Sequence, residues 1–312
     1  MAWKKRIDGR FLGTFLSVLG GRVLLDIRRD RSQAMWCVHG TGKAAWEREY
    51  ELDEIDHFFP HGESVYLGGS KARRLDIETG AEVAENDFGV PVMIRPPIPS
   101  GPVYILGGMA APTALLGLHA ETLQVQWQWS DPEYAAHREQ LCRYFDGMIH
   151  TVDLKTREVR RVKHPRPLGF HGHGGDQVWC HFEEQERFGI STVTGEVVWH
   201  QKEKEPGLHQ ELAFVGTRAY CGGPFVSAID LKTGALLWRQ AVSGSAERFV
   251  ESEGRLYAVA KSARMVHVLD AATGEVLASQ EVKGDEPSAV APLGPNRLVV
   301  GTYKLLYCFE LS

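Results

Sequence analysis

Apolar and polar positions along this chain alternate in short runs, each closed by a turn-forming residue. Residues 226–240, VSAIDLKTGALLWRQ, show the unit most clearly. Val226, Ala228 and Ile229 make an apolar run that ends in Asp230; Lys-Thr-Gly turns the chain, and a second apolar run leads to Trp238. Short runs near period 2, bounded by Gly and Asp, predict strands rather than helices. Gly234 accepts the positive φ that a tight reversal requires. The Asp230 carboxylate is placed to accept backbone N–H groups of the turn. The unit is a β-hairpin.

The hairpin recurs. Its copies are LDIETGAEV, STVTGEVVW, AIDLKTGALLW and VLDAATGEVL, with a further Thr-Gly at 41–42 and two weaker forms that carry Leu123 and Arg157 in the glycine slot. The seven anchors run from Gly42 to Gly274 at intervals of 34 to 43 residues. A hairpin-bearing period near 40 predicts a β-propeller of four-stranded blades. With the Thr-Gly turn joining third and fourth strands, residues 248–251, 255–260 and 265–269 supply the first three strands of one repeat. Residues 288–291, 297–301 and 305–309 do so for the last repeat, which stops without a fourth. Residues 2–7, AWKKRI, resemble the fourth strand LWRQAV at 237–242. The expectation is an all-β, eight-bladed β-propeller, a single domain over 1–312, with the N-terminal strand completing the C-terminal blade and closing the ring. Seven blades result if the end pieces make only a partial blade. Trp3, Trp46, Trp127, Trp199 and Trp238 recur early in fourth strands and predict wedges between blades. Repeat 4 offers only 140–145 and 148–152 as strand-like runs, so it is expected to lack a strand, with DPEYAAHREQ as a short helix or a lid.

Composition narrows the class. The 312 residues are 43% hydrophobic and 24% charged, as in ordinary globular domains, and 33 glycines suit a fold of many turns. A net charge of −5 argues against wholesale nucleic-acid binding. Cys37, Cys142, Cys180, Cys221 and Cys308 are scattered and odd in number, which fits buried reduced thiols rather than a disulfide framework. The apolar run 11–25 is broken by Gly13, Gly20, Gly21 and Arg22, so neither a signal peptide nor a membrane span is expected. A cytoplasmic protein follows as the expectation.

Ala228, Asp230, Thr233, Gly234 and Trp238 match A-x-D-x-x-T-G-x-x-x-W, and on these residues the chain resembles the PQQ-like repeat propellers over nearly its whole length. The resemblance implies the fold; for chemistry it spans quinoprotein alcohol dehydrogenases, an outer-membrane assembly lipoprotein and non-catalytic scaffolds. The dehydrogenases carry adjacent cysteines over the quinone and a calcium site beside a catalytic Asp. Neither adjacent cysteines nor a local carboxylate cluster occurs here, so no cofactor is expected. Gly-His and Trp-Asp signatures of WD repeats do not recur.

Candidate chemistry is sparse. His164, His171, His173 and His181 form the densest histidine run, and His171 and His173 with Cys180 nearby are the one zinc candidate; Gly172, Gly174 and Gly175 point instead to a solvated loose turn. No nucleophile elbow, P-loop, HExxH or kinase motif occurs. Sorting loops by rim is more informative. Loops between second and third strands carry Arg28, Arg29 and Arg31 in repeat 1, Lys71, Arg73 and Arg74 in repeat 2, Lys261 and Arg264 in repeat 7, and Lys304 in repeat 8. Repeat 5 carries Glu183, Glu184 and Glu186 there. In a closed ring the basic repeats are consecutive, so a basic arc is expected, unless the intervening ELDEID (51–56) neutralises it locally. The reading is a non-catalytic bacterial scaffold or accessory subunit that binds another protein over its loop-bearing rim. Nucleic acid and membrane insertion are not expected. The competing reading is a metal- or small-molecule-binding sensor or enzyme that uses the axial channel.

Overall fold

The computed structural model describes the chain outside residues 53, 96–102, 108–114, 130–141, 146–147, 153–158, 164–168, 175–176, 182–185, 192–195, 203–211 and 312. Every regular element among them is a strand, so no helix there is long and apolar enough to cross a membrane. In chain order the strands are β1 (Trp3–Arg6); β2 (Arg10–Leu19), β3 (Arg22–Arg28), β4 (Ser32–His39) and β5 (Ala44–Glu51); β6 (Ile55–His61), β7 (Ser64–Gly69), β8 (Ala72–Asp76) and β9 (Glu82–Asn86). There follow β10 (Val92–Arg95), β11 (Val103–Gly107), β12 (Leu115–Leu118) and β13 (Val125–Trp129); then β14 (Cys142–Phe145), β15 (Met148–Val152) and β16 (Val159–Lys163). Next come β17 (Gly169–Gly174), β18 (Gln177–His181), β19 (Glu186–Ser191) and β20 (Val197–Lys202); β21 (Leu212–Val215), β22 (Arg218–Cys221), β23 (Gly223–Asp230) and β24 (Leu236–Ala246). The last are β25 (Arg248–Ser252), β26 (Arg255–Ala260), β27 (Met265–Asp270) and β28 (Val276–Glu281), then β29 (Pro287–Pro292), β30 (Arg297–Thr302) and β31 (Leu305–Glu310).

Contacts divide the chain into two compact units, residues 1–138 with 288–312 and residues 139–287. In the first unit the sheets are β2-β3-β4-β5, β1-β31-β30-β29, and two four-stranded groups, β6–β9 and β10–β13, that touch through Val92 and Gly69. The N-terminal strand does complete the last sheet: Trp3, Lys4, Lys5 and Arg6 pair with Cys308, Tyr307, Leu306 and Leu305. The second unit holds β14-β15-β16, β17–β20, β21–β24 and β25–β28. Repeat 4 thus shows three strands among the described residues. DPEYAAHREQ lies outside them.

Both faces of an inner sheet are buried, which explains why RVLLDI reads as a nearly unbroken apolar run. Val23, Leu25 and Ile27 point one way, into a core with Phe11, Val299 and Leu306. Leu24 points the other way, toward Phe58, Leu67 and Leu75. Burying each such side chain contributes about 1.5–3 kcal/mol. In the second unit Ala228 and Trp238 pack on Leu256, Ala258 and Leu269 in the same manner.

The turn chemistry follows the expectation. Asp76 accepts the Thr79 N–H at 2.8 Å and its hydroxyl at 2.7 Å, and Asp230 and Asp270 repeat this with Thr233 and Thr273. The Thr79 hydroxyl holds the Asp76 carboxyl below its ordinary range, and the Thr273 N–H does the same for Asp270. Directly after the turn, the ladder slips by one residue in every described repeat of this type. Ile229 faces Leu236 but Ala228 faces Trp238, so Leu237 is the extra residue of a bulge. The same slip occurs between Val268 and Leu269, Gly189 and Ile190, Arg74 and Leu75, and Cys37 and Val38. Bulges twist an outer strand away from flat pairing, which protects an edge. They also explain why Leu236 and Leu237 are both exposed, against strand alternation.

The glycine of the turn has a second duty that links successive repeats. Trp46 donates its Nε1–H to Ile77 O at 2.9 Å, and a β-carbon on Gly80 would lie 2.6 Å from its ring. Trp3 stands over Gly42 and bonds Gly40 O. In the second unit Trp199 covers Gly234 and Trp238 covers Gly274. These four tryptophans are therefore wedges, as expected; the side chain of Trp127 lies outside the described residues. One joint is inverted. On β9 Ala84 occupies the tryptophan position, and the facing glycine slot holds Leu123, fully buried with φ of 57°. Leu123 fills the room an indole would take, and Asn86 donates to its carbonyl at 2.8 Å.

Candidate functional site

The basic residues picked out by the repeat register have two different fates. Arg29 and Arg31 lie in the β3–β4 turn with Arg28 at the end of β3, Lys71 in the β7–β8 turn, Lys304 in the β30–β31 turn, and Lys261 and Arg264 in the β26–β27 turn of the second unit. Arg73 and Arg74 do not lie in a loop: both belong to β8, because the β7–β8 turn takes only two residues. Arg73 is 3% exposed. Its guanidinium contacts Glu54, lies 3.3 Å from Glu85 and 3.6 Å from Glu82, and sits 5.5 Å from the Tyr50 ring centre. It is a strut of the joint between β2–β5 and β6–β9, not a group offered to a partner.

Lys71 is also compensated, with Glu85 at 2.9 Å and Asp87 at 3.8 Å; the Lys71 ammonium holds the Glu85 carboxyl low. Arg29 contacts Glu49, bonds Glu47 at 2.6 Å and lies 3.8 Å from Asp8. Local neutralisation, expected from ELDEID alone, involves Glu54 from that stretch, Glu47, Glu49, Glu82 and Glu85 of the fourth strands β5 and β9, and Asp8 and Asp87 of the adjoining loops. Lys261 lies 3.9 Å from Glu286, both about half exposed. Arg264 holds the tight turn at φ of 55°.

A different corner of the first unit keeps its positive charge. Arg31 and Lys304 are exposed, as are Arg6 and Arg10, and no carboxylate of the described residues pairs with these four. Arg10 lies directly opposite Arg28 in the β2–β3 ladder, an arrangement of like charges that sheets ordinarily avoid. The Arg10 guanidinium sits 5.6 Å from the ring centre of Tyr303, which is 41% exposed. Backbone bonds fix the surface: Ile7 N–H donates to Lys304 O at 2.9 Å, and Phe11 N–H to Tyr303 O at 3.0 Å. On the other side Arg29 Nε donates to Asp8 O at 3.1 Å. Gly9, at φ of 131°, presses so close to β3 that a β-carbon would lie 2.9 Å from Arg28 O. Three loops are thereby knitted into one platform. Arg6, Arg10 and Tyr303 escape a loop-by-loop sorting of charge; the signal available was the inferred pairing of 2–7 with the last strand, which brings Arg6 beside Lys304.

The histidine candidate sits on a strand, the setting that the zinc reading assumes. His171 and His173 lie on β17, a strand rather than a loose turn, with a ladder slip between Phe170 and Gly172. Their side chains, like His164, Glu183 and Glu184, fall outside the described residues, among which no group of three metal-ligating side chains occurs. Cys37, Cys221 and Cys308 are buried thiols, and burial pushes Cys37 up to about 12. Asp26 on β3 is 5% exposed with one oxygen that accepts no hydrogen bond, and burial raises its pKa to about 6.

Residues 188–305 match a family model described as outer membrane protein assembly factor BamB. No curated protein sequence matches the chain. Three solved structures are similar in fold. The computationally designed Ika8 protein is 14% identical, with 97% of this chain and 98% of that one covered at a TM-score of 0.67. Quinohemoprotein alcohol dehydrogenase from Comamonas testosteroni is 12% identical, with coverage of 99% and 76% and a TM-score of 0.65. BamB from Moraxella catarrhalis is 14% identical, with coverage of 99% and 98% and a TM-score of 0.56.

Proposed function

We propose that the chain is a non-catalytic member of the PQQ-like β-propeller family that binds another protein through its loop-bearing rim; the match of residues 188–305 and the likeness in fold support the family. The finer architecture we propose is eight blades closed as a ring, with β1 as the outer strand of the last. The observation that carries the reading is the platform of the first unit, where three loops are locked by backbone bonds while Arg6, Arg10, Arg31 and Lys304 have no carboxylate partner among the described residues. Fixed groups lose little freedom on docking, so their charge serves recognition at low entropic cost. The family match to an assembly factor supports the same reading, whereas the dehydrogenase likeness is one of fold. A reducing, cytoplasmic setting is part of the proposal, and the buried thiols support it.

The test is isolation from native cells after brief crosslinking, with metal analysis and an absorption spectrum of the purified protein. The expected result is a stoichiometric partner protein and no stoichiometric metal or chromophore. Recovery of the chain alone, or with a bound chromophore at one per chain, would refute the proposal.

A further inference from the structure

The basic arc expected from the sequence is too broad, and the geometry narrows it. We propose that the partner is read at one corner of the first unit, made by Arg6, Arg10, Arg31, Lys304 and Tyr303, and that it presents an acidic, extended segment there. This deepens the proposed function and rests on it. Four cations lie on or beside three loops that the Ile7–Lys304, Phe11–Tyr303 and Arg29–Asp8 bonds hold together, with Arg6 and Arg10 at the strand ends that flank the first. Asp8 and Asp30 are the exposed carboxylates of these loops, and Asp8 lies nearest Arg29. The corner therefore keeps a net positive field on a chain whose net charge is −5. Tyr303, capped on one side by Arg10 and open on the other, offers a flat apolar face beside the cations. A protein segment suits this corner better than nucleic acid, since a single exposed aromatic does not make the series of stacking platforms that strands of bases use.

The test uses the full chain and two fluorescein-labelled probes, an Ala-capped decaglutamate peptide and the oligonucleotide dT12. Arg10→Glu with Lys304→Glu is compared with Lys43→Glu with Lys232→Glu, two exposed lysines on Thr-Gly turns, so that net charge changes equally. We expect the corner variant to raise the peptide Kd at least tenfold at 50 mM salt, the control less than twofold, and Tyr303→Ala with Arg31→Ala several-fold. Melting temperatures of all variants should stay within about 4 °C of the parent. Equal losses in corner and control variants would show a net-charge effect only and overturn the proposal. Tighter binding of dT12 than of the peptide, lost in the corner variant, would overturn it in favour of nucleic acid. A native partner captured equally well by parent and corner variant would refute the corner while leaving the scaffold reading intact.

Discussion

Two basic stretches of the first unit look alike in sequence and end in opposite states. At the β7–β8 end, Arg73 goes inward between sheets and is surrounded by Glu54, Glu82 and Glu85. At the β30–β31 end, Lys304 and its neighbours Arg6 and Arg10 stay in water without carboxylate partners among the described residues. The difference lies in the facing strand. β9 carries Glu82 and Glu85 across from β8, where the ladder pairs Glu85 with Arg73 and Glu82 with Leu75. Across β31, β1 offers Lys4, Lys5 and Arg6. A charge is structural or available according to what its sheet neighbour brings, and that neighbour comes from a distant position in the second case.

The contrast can be broken by mutation. Arg73→Ala should cost about 3 kcal/mol in urea unfolding, because three carboxylates are left facing one another without their cation; a loss below about 1 kcal/mol would erase the distinction between the two ends. Asp26 sharpens it from the other side, as a buried carboxyl with no cation paired to it among the described residues. Its folded value near 6 lies above the unfolded 3.8, so the folded chain holds the proton more tightly between them. Stability from this residue is therefore full below about pH 4, falls as pH rises to 6, and stays reduced above. Asp26→Asn should raise stability at pH 7.5 by about 2–3 kcal/mol and flatten the slope between pH 4 and 6; an unchanged slope would disprove the assignment. At the exposed end Arg10→Ala should cost only about 0.5–1 kcal/mol, the worth of an exposed cation over an aromatic ring. Arg31→Ala should fall within about 0.5 kcal/mol of the parent, and a larger loss would mean that Arg31 too is a strut.

The strands were legible because their signals are local. Residues 255–260 are strand in the sequence reading and in β26 alike, and 297–301 lie within β30. The completion of the last sheet was legible too, since AWKKRI carries the same Trp and cation pattern as LWRQAV. What the sequence hid was mostly relational. Gly234 reads as a turn residue, yet the indole above it comes from Trp199 of the preceding repeat, and pattern matching within one repeat cannot see that. Leu123 reads as a defect in the motif until Ala84 is placed beside it. Arg73 reads as a loop cation because turn length was overestimated by two or three residues. The candidate corner was half visible: Arg31 and Lys304 came from loop sorting, whereas Arg6, Arg10 and Tyr303 required the ladder and the backbone bonds.

The pairing of β1 with β31 has a consequence in time. Trp3 is synthesised 305 positions (308 − 3) ahead of its ladder partner Cys308. At cellular translation rates of about 5–20 residues per second, the N-terminal strand waits roughly 15–60 s for its place. Through that interval Trp3 has nothing to cover except Gly42, and the sheet that will hold β1 does not yet exist. Closing a loop of this length also carries an entropic cost that only the final contacts repay. β31 is thus a latch that is set only after all the intervening strands have been made, and a nascent chain with residues 3–6 still unpaired is the form on which a chaperone would act.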